Sequence, residues 1–243
     1  MNKFSLFRNI FSLKKSNQLL NFLILLDCLF IFAHILIVCL VFFGFQISWA
    51  VFSSIRVDFD NGYPEMFQYF KYFIIIIIII SLIYKKKKYH YFSWLFVFVF
   101  LLLDDSMQLH ENCGGWIAQK FNYSPAFGLR AQDLGELTFV SVVGIGLMLF
   151  LILGFYFGDK KIRKINIDIG LIFSVFLFFG VVVDILHQLL SENETLSFIM
   201  VLLEDGGEMI VLSVMTWYFL FITLEQDKQS NFLHEYIFVK KRG

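Results

Sequence analysis

Residues 91–111 read YFSWLFVFVFLLLDDSMQLHE, an apolar and aromatic run that closes on Asp104, Asp105, Gln108, His110 and Glu111. The thirteen residues Tyr91–Leu103 carry no charge. At a rise of about 1.5 Å per residue the whole stretch crosses a hydrocarbon core of about 30 Å. It predicts a membrane-spanning helix with its ionisable groups gathered at one end. Working outward, stretches of similar apolar length occupy 19–43, 66–84, 134–157, 168–190 and 197–224, so the chain reads as six spans. The composition agrees: of 243 residues, 58% are hydrophobic, 19% aromatic and 16% charged, with a mean hydropathy of +0.73. Soluble domains carry about a quarter charged residues, and the low charge here excludes a soluble enzyme, a nucleic-acid binder and a disordered chain. The expected fold class is all-α, a polytopic bundle of six transmembrane helices over 19–224. A basic, amphipathic segment at 1–18 precedes it and a tail at 225–243 follows. The first span contains Asp27 and lacks a small-residue cleavage site, so it is expected to be retained as a helix.

Lysine and arginine set the expected orientation, because positive loops stay on the cytoplasmic side. Basic groups fall in the N-terminal tail, at Lys85–Lys88, at Lys160–Lys164 and in the C-terminal tail, leaving Arg56, Lys71, Lys120 and Arg130 for the opposite face. Both termini are therefore expected in the cytoplasm, and the protein in the inner (plasma) membrane.

Acidic residues carry the specific signal. Asp27, Asp104, Asp105, Glu111, Glu136, Asp184, Glu204, Asp205 and Glu208 all fall within predicted spans. Each would cost about 2.5–3.5 kcal/mol at the centre of a lipid-facing helix, so they are expected to face inward and be neutralised. Counting from the outer helix ends at about 1.5 Å per residue, Asp104, Asp184, Glu204 and Glu208 lie about 9–16 Å deep, in one layer with His34, and Glu111 and Glu136 lie at the rim. Residues three, four or seven apart share a helical face. That spacing puts Asp104 with Glu111, Asp184 with His187, and Glu204 with Glu208.

Carboxylates stacked on one face repel unless a cation or protons lie between them. Carboxylate with imidazole suits iron, manganese or zinc, and helix-bundle di-metal sites use lone glutamates with Glu-x-x-His pairs. The expected ligands are Asp104, His110, Glu136, Asp184, His187, Glu204 and Glu208, around one or two divalent ions, with Glu111 and Asp105 as the catalytic candidates and Glu111 placed to take a proton from metal-bound water. The favoured function is a metal-dependent membrane enzyme, oxidoreductase or hydrolase, acting on a lipid-like substrate that enters from the membrane. One alternative is a proton or cation transporter using the same carboxylates. Its discriminating requirement is a polar path toward the cytoplasm, where Asp27 is the one ionisable group read within a span. A second alternative is a sensor or assembly factor with a structural polar core and its function in the 112–133 loop.

Other positions read as packing. Ile74–Ile80 is expected to face lipid, His34 to bond a neighbouring helix, and Gly144 and Gly146 to pack between helices. Gly206 and Gly207 read as permitting close helix packing, with a loosening of the last span beside Glu204 and Glu208 as the functional alternative. Cys28, Cys39 and Cys113 form no metal or redox pattern. HxxxH, HExxH, DDxxD, GxSxG and P-loop patterns are absent, and the last two spans hold no lysine for a retinal Schiff base.

The run NGYPEMFQYFKY before the second span, followed by LLLDDSMQLHE, resembles a pattern of multi-pass bacterial membrane proteins with an L-D-[DE]-x-x-x-L-H-E signature. The resemblance implies an inner-membrane protein and carries no catalytic role. Its positions here are Asp104, Asp105, His110 and Glu111.

Overall fold

The computed structural model describes residues 3–225, with the side chains of 3–15, 85, 86 and 225 outside the description. The amphipathic reading of 1–18 therefore lies largely outside the described side chains, and the tail beyond 225 lies outside the described residues. The chain forms α1 (Lys3–Phe42), a short α2 (Trp49–Ile55), α3 (Tyr63–Lys86), α4 (Phe92–Met107), α5 (Leu109–Lys120) and α6 (Ala131–Tyr156). It continues as α7 (Lys160–Leu177), a π-helical segment (Phe178–Val183), α8 (Asp184–Leu190) and α9 (Glu194–Glu225). Six apolar stretches are long enough to cross a membrane: Ser16–Phe42, Tyr63–Tyr84, Tyr89–Met107, Ala131–Tyr156, Lys160–Leu190 and Glu194–Leu224. The protein is an all-α, six-span membrane protein.

α9 is the axis of the bundle, packing against α1, α3, α7, the π segment and α8. Over half of its most apolar window is buried in protein, whereas the corresponding window of α6 buries nothing and faces lipid. Within that window Gly144 and Gly146 have open space where a side chain would stand, so they do not pack between helices. The isoleucine run differs from expectation as well. Ile75, Ile76 and Ile79 are buried and Ile77 and Ile80 exposed, because a helix turns about 100° per residue and uniform composition cannot say which stripe meets α4 and α9. The buried isoleucines join Val97, Phe98, Ile169, Leu212, Met215 and Phe219 in the main core.

Three local features depart from the predicted spans. Lys160, Lys161, Arg163 and Lys164 are the opening turns of α7 and not a loop, because the Asp159 side chain caps the helix by accepting the Ile162 N–H at 2.9 Å. The third span stops at Gln108, which adopts a left-handed conformation (φ 51°, ψ 45°) that non-glycine residues seldom take. There its side chain donates to Asp60 Oδ2 at 2.5 Å. Residues 109–111, expected to end the third span, and 112–120, expected to lie in the 112–133 loop, together form α5, which folds back along the start of α6. The close crossing is permitted by Gly114 and Gly135: a Cβ on Gly135 would strike the Gly114 carbonyl, and one on Gly114 would strike the Glu136 backbone.

Lys71, assigned by loop counting to the outer face, is fully buried in α3. Its ammonium donates to Asp27 Oδ1 at 2.9 Å, to the Met209 carbonyl at 2.8 Å and to Ser213 Oγ at 3.3 Å, and lies over the Phe67 ring. Ser213 in turn donates to Asp27 Oδ2 at 2.5 Å. Asp27 is therefore paired with a basic residue inside the bundle. Lys71→Met, which strands Asp27, is expected to destabilise the folded protein by about 3–5 kcal/mol, and Asp27→Leu with Lys71→Met by clearly less, since removing both charges leaves none buried alone. Unfolding of the three proteins in detergent checks this, and equal damage from single and double variants would contradict it.

Candidate functional site

The acidic residues gather at the end of the bundle remote from the lysine-rich connections, and each is placed by a local device. The Gln108 turn brings Asp104 under the start of α5, where Asp104 Oδ1 accepts the His110 backbone N–H at 2.8 Å and Oδ2 lies 3.2 Å from His110 Nδ1. An expected stripe of Asp104 and Glu111 on one continuous helix is not formed, because the helix is broken between them. Glu111 is half-buried beside Asp60, and burial together with the Asp60 charge pushes its carboxyl above the usual range. Glu136 accepts from Gln132 at 2.8 Å. Arg130 clamps Asp133 with Nε at 3.0 Å and Nη2 at 2.6 Å.

Deeper in the layer, His187 Nδ1 is 2.8 Å from Glu204 Oε2 and its Nε2 is 3.0 Å from Ser197 Oγ. Asp184 is 3.5 Å from the Gln188 amide and lies within electrostatic reach of both His110 and His187. Asp104 and Asp184 thus belong to one polar layer and not to opposite sides of the bundle. Asp105 lies against the Tyr72 hydroxyl, and across from it stands Glu208.

Of the two readings of Gly206–Gly207, close packing agrees with the structure at Gly207, and the helix irregularity lies in the facing span. α9 runs unbroken through both glycines, and a Cβ on Gly207 would strike the Phe179 ring. Residues Phe178–Val183 are π-helical, an irregularity common at functional sites. Gly180 within it leaves room for the Glu208 carboxylate, which occupies the place a Gly180 side chain would need.

A further segment reaches the layer from above. Asp58 lies within electrostatic reach of Glu204 and Asp205, and Val57 packs with Val201 and Met209, which bracket those acids on α9. His34 bonds not a helix but this segment: its Nδ1 accepts the Val57 N–H at 3.1 Å. Residue typing and spacing selected Asp104, Asp105, His110, Glu111, Glu136, Asp184, His187, Glu204 and Glu208. They did not single out Lys71, Tyr72, Gly180, Ser197 and Asp58, which the structure brings near these residues or just beneath them. Lys71 alone had a legible signal, since it falls inside the predicted 66–84 span.

The ligand set for a metal is not preassembled. His187 uses both ring nitrogens within the protein, Asp104 is occupied by His110, and among the described residues no three His, Cys, Asp or Glu side chains converge as a metal-holding group. What the layer does offer is a chain of carboxylates and imidazoles on α4, α5, α8 and α9 with more negative than positive members, so protons or cations must balance it.

These features define a class: six-span, all-α membrane proteins with a carboxylate–histidine layer at one end of the bundle. Residues 3–224 match a domain of unknown function, DUF8692, and the chain belongs to that family. No curated protein and no solved structure matches it.

The Asp104 carboxylate beside His110 pushes its imidazole up to about 9 from an ordinary 6.5, against the opposing effect of burial. A raised folded value means that the stabilisation is complete below the unfolded value and is lost as pH rises through the folded one. The melting temperature of the wild type is therefore expected to fall between about pH 7 and about pH 9.5 relative to His110→Gln, whose own curve lacks that step. Parallel curves for the two proteins would remove the ion pair from the account.

Proposed function

We propose that the protein moves protons, or another small cation, across the inner membrane, with both termini in the cytoplasm and the acidic layer facing outward. The orientation follows from the basic connections between α3 and α4 and at the start of α7. The observation that carries the reading is the buried Lys71–Asp27–Ser213 cluster, which puts ionisable groups between one and two turns further along α9 from Glu208, on the face that meets α1 and α3. It meets the requirement for ionisable groups beneath the outer acids. Further toward the lysine-rich end Tyr218 donates to Asp168 at 2.8 Å. From Glu204 to Tyr218 is about 21 Å of helix at about 1.5 Å per residue. Ile75, Ile79, Met215 and Phe219 close the route between the two levels, as one closed end of an alternating-access cycle requires. Helices broken at the level of the acids, here at Gln108 and at Phe178–Val183, are also a feature of secondary transporters.

A second reading, a metal-dependent enzyme acting on a lipid-like substrate, draws on the Asp104–His110 and Glu204–His187 pairs, because carboxylates hydrogen-bonded to imidazoles accompany many metal centres. It requires His187 to release Glu204 or Ser197 first.

Purified protein in liposomes holding a pH-sensitive dye, with a potassium diffusion potential imposed, tests the first reading, and radioactive sodium uptake is followed in parallel. Wild type is expected to carry proton or sodium current, and Glu208→Gln to reduce it by about tenfold or more, as loss of a relay or coordinating carboxylate implies. Flux equal to that of empty liposomes overturns the proposal. Iron, manganese or zinc bound stoichiometrically in wild type and lost in His187→Ala would favour the enzyme instead.

A further inference from the structure

Residues 56–62 run across the acidic layer and are fastened on three sides. On α1, His34 Nδ1 accepts the Val57 N–H at 3.1 Å. At the α4–α5 break, the Gln108 amide donates to Asp60. Over α9, the Val57 side chain, 4% exposed, packs with Val201 and Met209 on either side of Glu204 and Glu208. The Arg56 guanidinium, paired with Asp58, lies 4.9 Å from each of the Phe52 and Phe59 ring centres, which anchors the segment to α2. Gly62 ends the strap at the start of α3, folded back so closely that a Cβ there would crowd the Phe59 and Arg56 carbonyls.

His34 is fully buried, and its bond to Val57 fixes its tautomer. Nδ1 can accept an N–H only if it carries no proton, so the imidazole is neutral with its proton on Nε2, an atom that finds no hydrogen-bond partner among the described residues and whose ring stacks on Phe198. The charged groups facing it are Asp58, whose Oδ1 is 3.8 Å from Nδ1, and Arg56; beyond Asp58 stand Glu204 and Asp205 of α9. A proton added at Nδ1 would set one N–H against another and turn the ring from an acceptor for Val57 into a donor toward Asp58. The bond that holds the strap would be exchanged for one that draws Asp58 away from Arg56.

We propose that residues 56–62 form the outer gate of the acidic layer, latched by neutral His34 and released when His34 takes a proton. The proposal deepens the ion-carrying reading by naming its gate and the signal that opens it, so that acid outside would admit the ion to Glu204 and Glu208.

The test reads the strap itself. In the full chain with Cys28, Cys39 and Cys113 replaced by serine, Val57→Cys and, separately, the exposed Trp49→Cys are labelled in liposomes with a membrane-impermeant maleimide. Trp49→Cys corrects for the pH dependence of thiol reactivity. The Val57-to-Trp49 labelling ratio is expected to rise about tenfold from about pH 8 to about pH 5, the change that losing one buried hydrogen bond produces. His34→Gln, whose side-chain carbonyl can accept the Val57 N–H and cannot be protonated, should keep the ratio low at both pH values. Asp58→Asn, which removes the charge that receives the new donor, should blunt the rise. A ratio that stays flat in the His34 protein, or that rises equally in His34→Gln, overturns the proposal. Labelling does not depend on ions crossing the bilayer, so a moving strap with no flux would sink the transport reading and leave the gate standing.

Discussion

The bundle is organised around a salt bridge that lipid cannot tolerate unless protein encloses it. Lys71 and Asp27 are both fully buried, and ions of this kind lose several kcal/mol of hydration each when taken from water. The pair survives because all three ammonium protons have acceptors and Asp27 accepts from both Lys71 and Ser213. Those partners belong to α1, α3 and α9, so satisfying one lysine holds three spans in register. Hydrophobic burial cannot select such a register in a membrane, because lipid tails are as apolar as leucine. The apolar core of isoleucine, phenylalanine and methionine fills space toward the lysine-rich end, whereas the ion pair decides which faces meet.

Above that pair the acidic layer follows from two interruptions of regular helix. The left-handed Gln108 lets α5 turn back over Asp104 and donate a backbone N–H to it, and the Gly114–Gly135 crossing holds the turned helix against α6. The π segment lets Gly180 face Glu208 closely enough that any side chain would displace the carboxylate. A regular helix would have kept these carboxylates on parallel stripes, each at its own depth. Broken ones bring Asp104 beside His110, Glu204 beside His187, and Asp184 within electrostatic reach of both histidines. The layer holds more acids than bases, so protons or cations must balance it.

The six spans and the membrane setting were legible in the sequence, as was the fact that acidic residues fall inside those spans. Each rests on a local rule: apolar length against bilayer thickness, and the penalty on a charge inside a span. Pairings were not legible. Asp184 and His187 share a helical face, yet His187 turns to Glu204 and Ser197, seventeen and ten residues further on. A continuous third helix was a sound inference from its apolar run. What broke it was the Asp60–Gln108 bond, between residues forty-eight apart.

Sequence alone determined how many times the chain crosses the membrane and which residues could not be left facing lipid, because hydropathy and charge act on each segment separately. Tertiary structure decided what neutralises them. Lys71 was counted with the outer loops until α1 and α9 were seen to enclose it. The stripe of Ile74–Ile80 that turns inward, and the strap that His34 fastens over the acids, likewise depend on which helices are neighbours. In a bilayer that choice is made by hydrogen bonds and ion pairs between distant residues, which no periodicity along the chain records.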